Sequence, residues 1–266
     1  EEHRGLSIAT SQDPKVFALL HSAQSMWALS FSDQAVELVQ KKDKLAKQLD
    51  HPLVLQQALG WGNVIYLYLR KPELLVEKAR KAYEIALEQN IPFYIGGNRV
   101  WWGAGLAQQG NHKSGVKMMR EGLEILHGTG AQIGRPMMHA LVAQSLGALG
   151  QQDEAQQEIS AALKQIERWG ERFYLAEIHR ISGDLYLQQA DPVNAEESYR
   201  KAIEVARTQS AKGWELKAAT SLAVLLKDQG RQAEAAAILG ELVDWFTEGL
   251  ATQDLEDARV LLAGIS

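Results

Sequence analysis

The stretch from Ala176 to Ala206, "AEIHRISGDLYLQQADPVNAEESYRKAIEVA", decides how the whole chain is read. It spells two helical segments joined at "QQADP", with Gly183 in the first segment and Ala195, Tyr199 and Ala202 in the second. Steps of forty residues from Gly183 reach Ala23, Asn63, Gly103, Ala143 and Ala223, all Gly or Ala except Asn63. The same step from Ala195 reaches Ala35, Leu75, Gly115, Ala155 and Ala235. From Tyr199 it gives Val39, Ala79, Met119, Ile159 and Leu239, and from Ala202 it gives Lys42, Ala82, Gly122, Ala162 and Leu242. Six units share one frame without a gap.

Two further ladders mark where helices must stop. Ser30, Arg70, Gly110, Gly150, Ala190 and Gly230 fall midway through the units, and Asp50, Asn90, Gly130, Gly170 and Ser210 close them. These positions favour residues that end helices, Gly above all, because the left-handed backbone of a helix C-terminus costs Gly least. Within each half, apolar residues recur at three and four, as in Leu216, Ala219, Leu222, Ala223 and Leu226, which is one face of a helix. No sustained alternation of β-branched residues appears, so strands are not expected. The small residues let paired helices approach to roughly 8 Å. One helix pair buries a single face, and stacked neighbours complete the core.

The pattern resembles the tetratricopeptide repeat, lengthened from about 34 residues to forty. The expected fold class is all-α: an α-solenoid of six helix pairs and a carboxyl-terminal cap, a right-handed superhelix by the resemblance. The chain is expected to be one domain over 1–266, with repeats at 12–50, 51–90, 91–130, 131–170, 171–210 and 211–250 and the cap at 251–266. First helices are predicted near 15–29, 53–69, 93–109, 136–149, 172–189 and 213–229. Second helices are predicted near 32–49, 72–89, 112–127, 152–169, 192–209 and 231–247, and a polar-backed cap helix over 253–263.

Bulk chemistry excludes several classes. A net charge of -5 offers no general attraction to phosphate backbones, so no nucleic-acid partner is expected. The 266 residues contain no cysteine, which removes disulfides and thiolate metal sites. No apolar run approaches the roughly 20 residues that span a bilayer, and "EEHRGLSIATSQDPK" lacks the basic-then-apolar order of a leader. A cytoplasmic location with no membrane partner is the expectation.

Apparent catalytic motifs dissolve in the repeat frame. Gly105 and Gly110 have the spacing of a P-loop's glycines, but Asn111 and His112 stand where Lys and Ser or Thr are required. Gly103 and Gly110 instead fall on the packing and joint ladders. His139 and His179 occupy equivalent slots, with Glu177 and Asp184 as the nearest further ligands, yet no helix offers two His at i and i+4. Packing is favoured over a metal site, and neither metal, cofactor nor catalytic residue is expected. The tryptophans serve mainly as glue between helix pairs, because each buries a large area.

By the tetratricopeptide resemblance, first helices line the concave side, and fixed offsets from the small residue point into it. Those offsets select Gln57, Gly60, Val64 and Leu67, then Gly97, Val100, Ala104 and Ala107, then Met137, Ala140, Gln144 and Gly147, and finally Glu177, Arg180, Asp184, Lys217, Thr220 and Lys227. The groove would be apolar in the middle and charged toward the carboxyl end. An exposed apolar strip marks a partner site, whereas tight curvature would bury the same residues between helices; both readings stand on sequence alone.

Longer strings are similar to a particular group of proteins. "HSAQSMWALSFSDQA", "GLAQQGNHKSGVKMMREGL", "TGAQIGRP", "GERFYLAEIHRISGDLYL", "AKGWELKAATSLAVLLKDQGRQAEA" and "WFTEGLATQDLEDARVLL" resemble the carboxyl-terminal array of bacterial multidomain signalling proteins. There a class III adenylate/guanylate cyclase or another effector precedes an AAA/STAND-type ATPase, and the helical array follows as sensor and scaffold. The resemblance implies a non-catalytic module that binds a protein or peptide, including upstream domains of its own parent, as a monomer or weak homo-oligomer. It also implies a chain excised from, or expressed apart from, such a parent. The alternative is a small-ligand sensor with a pocket built from Trp61, Trp101 and Arg99.

Overall fold

The computed structural model describes residues 13–265. Most of the amino-terminal stretch read above as lacking a leader therefore lies outside the described residues, as does Ser266 of the cap. Among the described residues every regular element is a helix, and the helices follow the forty-residue frame as a tetratricopeptide-like array of pairs. In chain order they are α1 (Pro14–Ala28), α2 (Ser32–Leu49), α3 (Pro52–Gly60), a 3-10 turn (Trp61–Asn63), α4 (Val64–Tyr68), α5 (Pro72–Glu88), α6 (Pro92–Gln108) and α7 (His112–Thr129). They continue as α8 (Arg135–Ala148), α9 (Gln152–Trp169), α10 (Leu175–Gln188), α11 (Pro192–Thr208), α12 (Lys212–Asp228), α13 (Gln232–Trp245) and α14 (Gln253–Ala263). No described helix is long and apolar enough to cross a membrane.

The starts and stops follow from local chemistry. Pro52, Pro72, Pro92 and Pro192 each open a helix at its first turn, where the missing N–H costs nothing. At the other end, all eleven joint-ladder residues adopt positive φ, from 46° at Asp50 to 86° at Gly110. The residue after the mid-unit joints at 70, 110, 150, 190 and 230 closes the helix by reaching back five positions, as in Asn111 N–H to Leu106 O at 2.9 Å and Asp191 N–H to Tyr186 O at 3.0 Å. Ser30, Asp50, Arg70, Asn90, Ala190 and Ser210 bear this conformation without being glycine, at roughly 1–2 kcal/mol each. The frame, set by helix packing, overrides local preference there.

Among the described residues, contacts divide the chain into two compact units, one comprising 13–27 and 33–132, the other 28–32 and 133–265. In the first, α6 and α7 touch backbone to backbone. A side chain at Gly103 would lie 2.7 Å from Gly115 O, and one at Gly96 would lie 2.7 Å from Gly122 O. Of the glycines weighed as a phosphate cradle, Gly105 packs on α5, where a Cβ would lie 2.7 Å from Val76 Cγ2, and Gly110 is a helix-ending joint at positive φ. In the second unit the same ladder is used differently: a methyl group at Gly183 would lie 2.5 Å from the Tyr199 ring, which fills that notch from α11. Around Tyr199 pack Ala195, Ala202, Leu222, Ala223, Leu226 and Leu239, with Leu255 and Ala258 of α14 closing the end of the cluster. Burial of each large side chain contributes about 1.5–3 kcal/mol.

Candidate functional site

One first helix is not continuous. The segment predicted as a single helix over 53–69 is broken into α3, the 3-10 turn and α4. The sequence departs from its ladders at the same place, with Asn63 on the small-residue rung and Lys42 on a rung held elsewhere by Ala, Gly or Leu. Lys42 is wholly buried. Its ammonium donates to the Ala58 carbonyl oxygen and lies 3.0 Å from Asp43 Oδ1. Any side chain at Gly62 would overlap Lys42 Nζ. Burial pushes the Lys42 ammonium below its ordinary range, against the opposing pull of Asp43. Asp43 also accepts from Lys78 Nζ at 2.9 Å. A charged group competing for a helix carbonyl is a physical cause for the break.

Beside the break two carboxamides meet, Gln56 from α3 and Asn98 from α6, while the adjacent Gln57 turns toward Asp13. Gln56 is 0% exposed, and Gln57 and Asn98 are each 2% exposed. Gln57 Oε1 accepts from the Asp13 amide at 3.3 Å. Gln56 Nε2 and Oε1, Gln57 Nε2 and Asn98 Nδ2 have no hydrogen-bond partner among the described residues. Left dry, each such group costs about 1–3 kcal/mol. Gly60 lets the side chains meet: the place its Cβ would take lies 2.7 Å from Asn98 Oδ1 and 3.0 Å from Gln56 Nε2. Next to Asn98, a Cβ at buried Gly97 would meet no atom within 4 Å.

The structure distributes the residues selected from sequence unevenly. Val64, Leu67, Val100 and Ala104 are buried in the first unit, and Met137 is buried in the second. Of the two readings of the apolar strip, the packed one holds for these five, because small and branched residues let neighbouring helices close over them. Gln57 is buried and faces Asp13, and Gln144 is exposed. Arg180, Asp184 and Lys217 do come together, around Glu177 of the same selection.

That second cluster is polar, buried and complete. Arg180 donates through Nε to Glu177 Oε2 at 2.7 Å, through Nη2 to Glu177 Oε1 at 3.0 Å, and through Nη1 to Asp184 Oδ2 at 2.6 Å. Lys217 Nζ reaches Glu177 Oε1 at 2.8 Å, and Tyr199 Oη donates to Asp184 Oδ1 at 2.8 Å. Burial alone would raise the Glu177 carboxyl, but Arg180 and Lys217 outweigh it and hold it down at about 2. Two carboxylates face two cations, so the charge expected at the carboxyl end is spent internally.

The other candidates also resolve into packing. His139 is held by its two ring nitrogens, Nδ1 hydrogen-bonded to Glu158 Oε2 at 2.6 Å and Nε2 to the Gln165 carboxamide at 3.2 Å. Burial, then Lys201, lowers His179 to about 4. Trp61 stacks on Phe93 with ring centres 5.9 Å apart and meets buried Trp101 edge-on at 6.0 Å. Arg99 is engaged elsewhere, donating to Tyr83 Oη at 3.1 Å and to Glu121.

With this geometry in place, known proteins can be set beside it. No family model matches the chain. Over 202 residues it is 24% identical to an uncharacterized protein of Rhizobium meliloti (strain 1021), a match over 75% of this chain; the chain spans only 19% of that protein's length. Among solved structures, NprR in complex with its cognate peptide NprX superposes with a TM-score of 0.66 at 14% identity, over 94% of this chain and 70% of that one. A signal transduction ATPase with numerous domains (STAND) with a tetratricopeptide repeat sensor, from Pyrococcus horikoshii, gives 0.55 at 15% identity, over 94% of this chain and 38% of that one. These are likenesses of fold: a tetratricopeptide-like array of helix pairs.

Proposed function

We propose that the chain is a non-catalytic sensor module that binds a protein or peptide, and that it serves as the regulatory array of a larger cytoplasmic ATPase- or cyclase-type signalling protein. The observation that carries this reading is the shared fold with NprR, whose structure holds its cognate peptide. The Pyrococcus STAND protein supports the second half, since its sensor has the same repeat type within a much longer chain. The partner lies along the first helices. There Gln144 offers an exposed polar side chain, while Arg180, Asp184 and Lys217, paired with Glu177 and Tyr199, and buried Gln57, Val64, Leu67, Val100, Ala104 and Met137 set the packing of the helices within their own units. Regulation follows if the partner prefers one arrangement of the helix pairs, because such a ligand shifts the population toward it.

The test uses the chain as it stands. Immobilised protein is exposed to a degenerate library of nine-residue peptides, retained sequences are read by mass spectrometry, and the most enriched is titrated by fluorescence anisotropy. A dissociation constant of about 1–100 μM is expected, equivalent to roughly 5–8 kcal/mol. Enrichment no greater than that on bare resin would remove the peptide reading. In parallel, a thermal-shift screen with nucleotides and metabolites checks the small-ligand alternative, since a ligand bound only by the folded state raises the melting temperature.

A further inference from the structure

We propose that the Lys42 ammonium is a wedge that holds the first helix of the second repeat in a broken form, and that this helix enters a second, continuous form when the ammonium swings out to solvent. The second repeat is then a two-state hinge, whatever the array binds. The breaking group comes from another helix. Lys42 reaches from α2 to the Ala58 carbonyl oxygen, the acceptor that a regular helix reserves for the N–H four residues on, at Gly62. Its ammonium fills the place a Gly62 side chain would need. A side chain inserted into the i→i−4 ladder breaks a helix. The competing cause is the pair Gly60 and Gly62, since 53–69 contains no proline. Against it stands the repeat frame: Ala82, Gly122, Ala162, Ala202 and Leu242 hold the rung of Lys42, and the helix after each of their own, α6, α8, α10, α12 and α14, is unbroken.

The continuous form lies close by in backbone terms. Trp61 (φ −65°, ψ −27°) and Val64 (φ −57°, ψ −26°) keep helical angles, and Gly60 departs mainly in ψ, at −84°. The broken form also carries costs. The Lys42 ammonium is wholly buried, and Gln56 Nε2, Gln56 Oε1 and Asn98 Nδ2 beside the break have no hydrogen-bond partner among the described residues. A state with such costs sits only a little below a competitor that relieves them.

Asp43 is the latch. It lies 3.0 Å from Lys42 Nζ through Oδ1 and accepts from Lys78 Nζ through Oδ2 at 2.9 Å, and the side chains of Asp43 and Lys78 are 16% and 21% exposed. Solvent is thus one side chain away from the buried ammonium. Lys78 Nζ in turn stands 5.8 Å from the centre of the Tyr66 ring on α4. The three charges therefore hold both sides of the break, Ala58 before it and Tyr66 after it. Movement of α4 is passed to the third repeat, because Leu67 O accepts from Gln108 Nε2 of α6 at 3.0 Å.

The test is nitrogen-15 relaxation dispersion and saturation transfer, with amide hydrogen exchange, on the whole chain without any ligand. Wild type should show a minor form at about 1–10% over residues 58–66. Lys42→Ala restores the residue of the ladder and should slow exchange of the 61–65 amides about tenfold or more, with the dispersion gone. Asp43→Asn opens the latch and should raise the minor form about fivefold or more, which a lysine serving only as packing would not do. Unchanged exchange in Lys42→Ala would assign the break to Gly60 and Gly62 and overturn the wedge. A wild-type chain with neither dispersion nor saturation transfer over 58–66 has one form, and the hinge is wrong. Should Lys42→Ala fail to fold by circular dichroism, wild type and Asp43→Asn decide: equal minor populations overturn the proposal. Since no peptide enters these measurements, the hinge and the peptide-binding reading fail separately.

Discussion

The second and fifth repeats obey the same frame but treat buried polarity in opposite ways. In the fifth, Gly183 and Ala202 keep to their ladders, α10 is unbroken, and the buried ions Glu177 and Arg180 and the half-buried Asp184 and Lys217 satisfy one another and Tyr199. In the second, Asn63 and Lys42 leave their ladders, the first helix breaks, and the Gln56 carboxamide has no partner among the described residues. Buried charge that is fully paired rigidifies a core, while buried amides that are unpaired wait for something to pair with. The difference separates a region built for stability from one built at some cost to it.

The sharpest way to break this contrast is Arg180→Met. Glu177 would stay buried with Lys217 as its sole cation, and urea unfolding should show a loss of about 3–5 kcal/mol. A loss below about 1 kcal/mol would mean the network is ornamental. Acid titration is next in size. The Glu177 carboxyl sits at about 2 when folded against an ordinary 4.5, so the unfolded chain takes up the proton first. Its contribution, about 3 kcal/mol, is present above pH 4.5 and lost as pH falls from 4.5 through 2. His179, lowered from 6.5 to about 4, acts earlier in the same direction: stability falls as pH drops from 6.5 to 4. His179→Leu should flatten that upper window in thermal melts at stepped pH and leave the lower one.

Changes in the second repeat should run the other way. Lys42→Met exchanges a buried ammonium for an apolar side chain of similar length, and Asp43 keeps Lys78. The melting curve should move up, by about 1–3 kcal/mol at the midpoint, and a destabilised variant would show that the break is part of the stable fold. The smallest test compares two glycines. Gly97→Ala meets open space and should gain up to about 1 kcal/mol from helix propensity. Gly183→Ala must push the Tyr199 ring aside, and overpacking of this kind costs about 1–3 kcal/mol. Equal effects at both would erase the distinction between a filled notch and an open one.

Much of the candidate site was hidden from sequence reading for a definite reason. Offsets from the ladder reached Gln57, but Gln56 and Asn98 are not among the selected offsets, and a polar residue in a helix looks solvated until its neighbours are known. The available signal was Lys42, a charge on a rung reserved for small or apolar residues, coinciding with Asn63 on another. Glu177 was visible on the concave offsets and as a weak metal ligand, but not as the centre of an ion-pair network, because pairing across forty residues to Lys217 needs two helices in contact.

Sequence by itself determined the period, the pairing of helices and the eleven joints, since these depend on spacing and on which backbone each stop requires, and they hold even where Arg70 or Ala190 replaces glycine. Tertiary structure alone decided which polar groups find partners and which do not. That outcome turns on separations of a few tenths of an ångström between side chains of different helices, as at Gly60 and Gly183, and no linear pattern encodes such distances.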